Sequence, residues 1–123
     1  MLPEAMKVIG KQLGLNTGAL ADVLGLTAWD CARFLAGRLC ISANDELFER
    51  IINLLDIHRA LARLVHHDQK ALSSWLSTYN ERLQVEPLRL MGTPEGSLRV
   101  LMFLGTEIER AARASKIIWL QTA

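Results

Sequence analysis

The stretch Ala19–Gly37, ALADVLGLTAWDCARFLAG, constrains this chain more than any other. Leu20, Leu24, Leu26, Cys31 and Phe34 are its apolar positions, Ala21 is small, and Gly25 separates two runs of helical period. Two short helices that cross steeply need a small residue where their backbones approach, and a residue tolerant of positive φ at the sharp turn. Ala21 and Gly25 stand at the right separation for those roles. Thr27 follows as an N-cap, its hydroxyl available to the free amides of the next helix's first turn. Gly37 closes that helix as a C′ residue. Helices over about 17–24 and 28–36 are therefore expected, joined by a tight turn.

This pattern resembles the helix-turn-helix of DNA-binding proteins; a plain αα-hairpin that touches no DNA meets the same local demands, because one fold carries many functions. On the second helix Ala28, Trp29, Ala32 and Arg33 share the face that would enter a major groove. Arg33 can bond a guanine edge or a phosphate. Trp29 can press on a thymine methyl group or a sugar, or cover a protein contact, whereas Asp30 would repel phosphates that it faced. With Thr27 at the cap and Arg38 just past the helix, Thr27, Ala28, Trp29, Arg33 and Arg38 are the candidate DNA contacts. Net charge is only +1. The first 64 residues balance Lys7, Lys11, Arg33, Arg38, Arg50, Arg59 and Arg63 against Glu4, Asp22, Asp30, Asp45, Glu46, Glu49 and Asp56. Phosphate neutralisation dominates non-specific affinity, so a monomer should bind DNA weakly. A homodimer, with two half-sites, would roughly double the phosphate contacts.

Half of the 123 residues are apolar, with Leu and Ala abundant and aromatics sparse, so an all-α fold with a well-filled core is expected. No apolar run approaches the roughly 20 residues of a membrane span, and the N-terminus lacks signal-peptide order, so a cytoplasmic location is expected. Residues 3–14 read as a first helix, with Pro3 in its opening turn, Ala5, Met6, Ile9 and Leu13 as its stripe and Gly14 at its end. Leu39 and Ile41 should tuck inward from the connection at 38–43. Asn44 or Ser42 should cap a long helix from about Asp45 to Val65, with Leu47, Phe48, Ile51, Leu54, Leu55, Leu61, Leu64 and Val65 on its broad apolar face. Asp68 should cap a helix of 69–79 carrying Leu72, Trp75, Leu76 and Tyr79. Residues 80–86 read as a loop, and Pro87 opens a short turn through Met91. Thr93-Pro94-Glu95 then starts a long helix to at least Arg113, with Leu98, Leu101, Met102 and Ile108 at helical spacing. The two halves should share one core.

Signs of chemistry are few. No nucleophile–base pair, HExxH, P-loop or Gly-x-Gly-x-x-Gly appears, so no enzymatic activity and no cofactor are expected. His66-His67-Asp68 would put adjacent side chains on different helix faces, and neither they nor His58 have partners at a zinc spacing; histidines near a helix C-terminus complement its dipole. Cys31 falls at a core position, and a disulfide with Cys40 is not expected. The tail Ser115-Lys116-Ile117-Ile118-Trp119-Leu120 carries four consecutive apolar residues, costly in water at about 25 cal/mol per Å². Either it folds back on the core or it forms an interface, with Trp119 as anchor and Arg110, Arg113 and Lys116 as a basic rim.

The second half shows Trp75-Leu76, Pro87-Leu88, Leu90-Met91, Thr93-Pro94-Glu95-Gly96 and Val100-Leu101 in that order. This set is similar to the toxin-binding domain of the Xre/MbcA/ParS antitoxin family, where it follows an Xre-like helix-turn-helix half. The likeness covers about 15–108. It departs at Leu83-Gln84-Val85-Glu86, where the family commonly has a Gly-rich pair. It departs again at Glu107-Ile108-Glu109-Arg110, which continues as helix where the family tends to place a glycine. The resemblance implies a helix-turn-helix domain over 1–66 and a toxin-binding domain over 67–123. It implies an antitoxin that holds an NAD-attacking RES-type toxin inactive and binds its own promoter. In that family the C-terminal part approaches the toxin's cleft, which carries the toxin-binding role here to Arg99, Phe103, Glu107, Arg110, Arg113, Lys116, Trp119 and Leu120. The alternatives are a free-standing helix-turn-helix regulator and a dimerisation module held by Trp119.

Overall fold

The structure, a computed structural model, describes residues 2–41 and 45–122, with side chains through Lys116. Among them the chain forms seven helices: α1 (Leu2–Gln12), α2 (Thr17–Leu24), α3 (Ala28–Leu35), α4 (Glu46–Leu64), α5 (Gln69–Trp75), α6 (Pro87–Leu90) and α7 (Pro94–Thr122). The expected all-α class is the observed one. Among the described residues the sole β-type pairing is an antiparallel bridge between Asn80 and Val85.

Local chemistry sets most of the boundaries. Asn16 accepts the Ala19 amide at 2.8 Å to open α2, and Thr27 accepts the Asp30 amide at 3.1 Å to open α3. Gly25 leaves α2 at φ +71°, with the Leu26 amide bonded back to the Ala21 carbonyl at 2.9 Å. Gly37 does the same for α3 at φ +76°, with Arg38 bonded to the Arg33 carbonyl at 2.8 Å. Both are Schellman closures. Asp68 caps α5 through the Lys70 and Ala71 amides, and Thr93 caps α7 through Gly96. The expected caps Ser42 and Asn44 lie outside the described residues; Asp45 occupies the N-cap position of α4.

One cluster of buried side chains runs from α1 to the first part of α7. Met6, Ile9 and Leu13 of the N-terminal segment, Leu24 and Phe34 of the α2–α3 pair, Ile51, Leu54, Ile57 and Leu61 of α4, Leu72 and Leu76, Met91, and Val100 and Leu104 of α7 all belong to it. Leu39 and Ile41 pack on it as expected. The most extensive helix contact is α4 with α7. The two run in the same direction: Arg50 near the head of α4 reaches Gly92 just before α7, and Leu64 at its tail lines a groove with Phe103 and Glu107.

Four expectations need correction. The first helix spans 2–12, not 3–14. The helix after Asp68 stops at Trp75 rather than 79, and Tyr79 is exposed. Ser74, Ser77 and Thr78 turn their hydroxyls onto carbonyls three or four residues back, and the Asn80 carboxamide takes the Arg82 and Leu83 amides, so local side-chain bonds replace the helix. His66 and His67 are not helical but left-handed, with φ 54° and 61°, because the end of α4 folds back through the His67 amide to the Ala62 carbonyl. Finally, Leu98 and Met102 face outward on α7, while Val100 and Leu104 are buried.

Candidate functional site

Two surfaces stand out, one on α3 and one on α7. The turn before α3 is tight, and Thr27 spends its hydroxyl on the cap. Behind it Ala28, Trp29, Ala32 and Arg33 are exposed on one helix, with Trp29 at 74 %. Arg33 reaches the Asp30 carboxylate and the Arg38 carbonyl, each at 3.5 Å. Contacts of that length on a half-exposed guanidinium hold it lightly, since exposed ion pairs contribute at most about 1 kcal/mol. Arg38 is exposed just past Gly37. The sequence-derived α3 residues thus share one outward face, small in profile apart from Trp29 and Arg33.

What holds that pair of helices in place is a residue that periodicity did not reveal. Arg50 is 8 % exposed, and its guanidinium donates to the Val23 carbonyl at 3.1 Å and the Gly92 carbonyl at 3.4 Å, with the Glu46 carboxylate at 3.5 Å. It thereby ties the C-terminal end of α2 to the corner leading into α7. A Cβ at Gly25 would stand 3.0 Å from this guanidinium, which would have to give by a few tenths of an ångström, and the φ of +71° is strained for any residue but glycine.

On α7 the expected toxin-facing residues divide into three groups. Phe103 and Glu107 turn back toward the bundle. The Phe103 ring lies 6.3 Å from that of Trp75, tilted by 31°, and Glu107 bridges Arg82 at 3.4 Å and Arg110 at 3.9 Å. Together with Leu64 and Tyr79 these line an open groove of about 380 Å³. Tyr79 was visible in the sequence only as a member of a helix stripe, and Trp75 as that and as part of the Trp75-Leu76 motif; neither reading placed them in a groove. Arg99, Arg113 and Lys116 form the second group and are exposed, as is Arg110 itself. Trp119 and Leu120 form the third; their side chains lie outside the described residues. Among the described residues Leu104 is the last fully buried side chain of α7, and every side chain from Glu109 to Lys116 is exposed.

Ionisable groups elsewhere are scattered. Cys31 is fully buried, and burial raises its thiol pKa above the usual range; Cys40 is exposed, and both are free. The His58 ring donates from Nε2 to the Gln12 carboxamide oxygen at 2.7 Å, and burial, with the nearby His67 charge, lowers its pKa from 6.5. Among the described residues no three His, Cys, Asp or Glu side chains gather as metal ligands, and no helix is long and apolar enough to cross a membrane. What the fold defines is an all-α bundle with a capped two-helix motif at one end and a helix running past its core. No protein-family model matches the chain, and no curated protein matches it either.

Proposed function

We propose that this chain is an antitoxin-type protein without catalysis of its own. It docks a cognate RES-type toxin through the outer half of α7, occluding the toxin's cleft, and contacts its own promoter through α3 as a cytoplasmic homodimer. The observation that carries the reading is the course of α7. Every described side chain from Glu109 to Lys116 is exposed, a span of roughly 12 Å past the last fully buried described residue. Ala111, Ala112 and Ser115 only line a hollow there with Arg63, Leu64 and His66, and a helix so thinly supported is marginal in water. A partner surface supplies the missing support. Arg110, Arg113 and Lys116 lie on this span, and the sequence puts Ile117, Ile118, Trp119 and Leu120 just past it. The order of motifs shared with the antitoxin family supports the partner's type.

The test is co-expression of the full chain with the product of the neighbouring reading frame. A stable complex and suppressed NAD consumption are expected, with suppression lost in the Arg110→Glu/Arg113→Glu variant. Independent purification of the two proteins, with NAD consumption unaffected, removes the reading. The exposed Trp29 and Arg33 favour a second reading, a helix-turn-helix regulator with no toxin. It requires duplex binding that falls steeply with salt and weakens in Arg33→Ala; binding indifferent to that substitution excludes α3 as the contact.

A further inference from the structure

A hollow of about 350 Å³ lies along the outer flank of α4 and is lined by Leu55, His58, Arg59, Ala62, Arg63 and His67. Its floor is apolar and its walls carry only cationic or imidazole groups. Arg33, Arg50, Arg82, Arg89 and Arg110 each have a carboxylate within 4 Å, at 3.1–3.9 Å. Among the described residues Arg59 and Arg63 have none, although both are exposed and stand one helical turn apart. The nearest acids in sequence do not fill the gap. Asp56 makes no ion pair with Arg59, and the Asp68 carboxylate is spent on the Lys70 and Ala71 amides. The C-terminal end of α4 carries about half a negative unit, which two guanidinium groups exceed. His67 reaches the hollow from a left-handed backbone, a conformation that costs a non-glycine residue about 1 kcal/mol or more.

We propose that this hollow binds a phosphate group, held by Arg59 and Arg63 with His67 closing one end. Arginine forks bond phosphate oxygens bidentately, a geometry that chloride cannot match, and a phosphate has oxygens enough to serve both guanidinium groups where a carboxylate has two. An apolar floor weakens competition from water and strengthens each charged hydrogen bond. The site shares no residue with the α3 face. Arg63 also lines a neighbouring hollow with Ala111, Ala112 and Ser115 of α7, but phosphate binding here does not depend on the function proposed above. The phosphate has two sources with the same chemistry: a nucleic-acid backbone or a free phosphorylated molecule.

The test follows the arginine Nε–H and histidine ring resonances of the full-length protein. It is titrated with pyrophosphate, with inorganic phosphate, and with sodium chloride at equal ionic strength. Saturable shifts at Arg59, Arg63 and His67 with the phosphates, not reproduced by chloride, are expected. The Arg59→Gln/Arg63→Gln variant should weaken the interaction by about tenfold or more while its melting temperature stays within a few degrees, both residues being exposed. Arg33→Ala should leave the shifts intact. Absence of a saturable shift, or a shift that survives the double substitution, overturns the proposal. A short mixed-sequence duplex separates the sources. If it moves the same resonances and pyrophosphate displaces it, the ligand is the nucleic-acid backbone; if only the phosphates act, it is a free phosphorylated molecule.

Discussion

Arg50 shows how much one side chain can decide. Its guanidinium satisfies carbonyls 27 and 42 residues away in sequence, and its Nε is buried without a hydrogen-bond partner in the structure. Truncation would strand the Val23 and Gly92 carbonyls and open space beside Gly25. Arg50→Ala should therefore cost about 3 kcal/mol in chemical denaturation. The glycines of α7 form a matched pair. A Cβ on Gly96 would run into the Leu90 carbonyl, whereas one on Gly105 meets nothing within 4 Å. Gly96→Ala should destabilise by about 2–4 kcal/mol, and Gly105→Ala should stabilise by about 0.5–1 kcal/mol, read from the same denaturation curves. His58 gives a pH signature. Its folded pKa lies below the ordinary 6.5 because burial, and then His67, disfavour the charged ring. The unfolded chain therefore binds the proton more readily, and stability is full above pH 6.5 and falls as the pH drops through the folded value. The melting temperature should decline over that acidic window in the native protein and decline less in His58→Gln.

At the scale of the helix, what could be read in advance was whatever is written locally. The α2–α3 pair was legible because Thr27, Gly25 and Gly37 act within a few residues of themselves, and Pro87, Thr93 and Pro94 announce the later helices in the same way. Thr27→Ala should lower stability by about 1 kcal/mol, seen as a drop in the denaturation midpoint at unchanged slope. The buried face of α7 was not legible. Leu98, Val100, Leu101, Met102, Phe103 and Leu104 are apolar nearly all the way round, so spacing alone cannot choose between a stripe through Leu98 and Met102 and one through Val100 and Leu104. Packing against α4 chose the latter. The groove was hidden for a related reason. Its walls come from α4, α5, the 79–82 turn and α7, and no local rule brings Arg82 to Glu107. Nor does any pattern in the sequence mark Arg50, whose role exists only once α2 and the corner before α7 have been brought together.

At the scale of the molecule, the single core means that the α2–α3 pair and the root of α7 stand or fall together, whereas none of the described side chains from Glu109 to Lys116 is buried in that core. Hydrogen exchange should register the division. Amides at 97–104 should be protected almost to the level of global unfolding. Those at 109–116 should exchange at least about a hundredfold faster in the isolated chain and slow down when a partner is bound. Uniform protection along the helix would argue that its outer part is already supported. The same division makes the distal rod an adjustable pointer. One residue inserted after Ala112 would leave Val100, Leu104 and Glu107 where they are, yet rotate everything beyond by about 100° and advance it by about 1.5 Å. A chain built this way can re-aim its reach in small indexed steps and leave its foundation undisturbed.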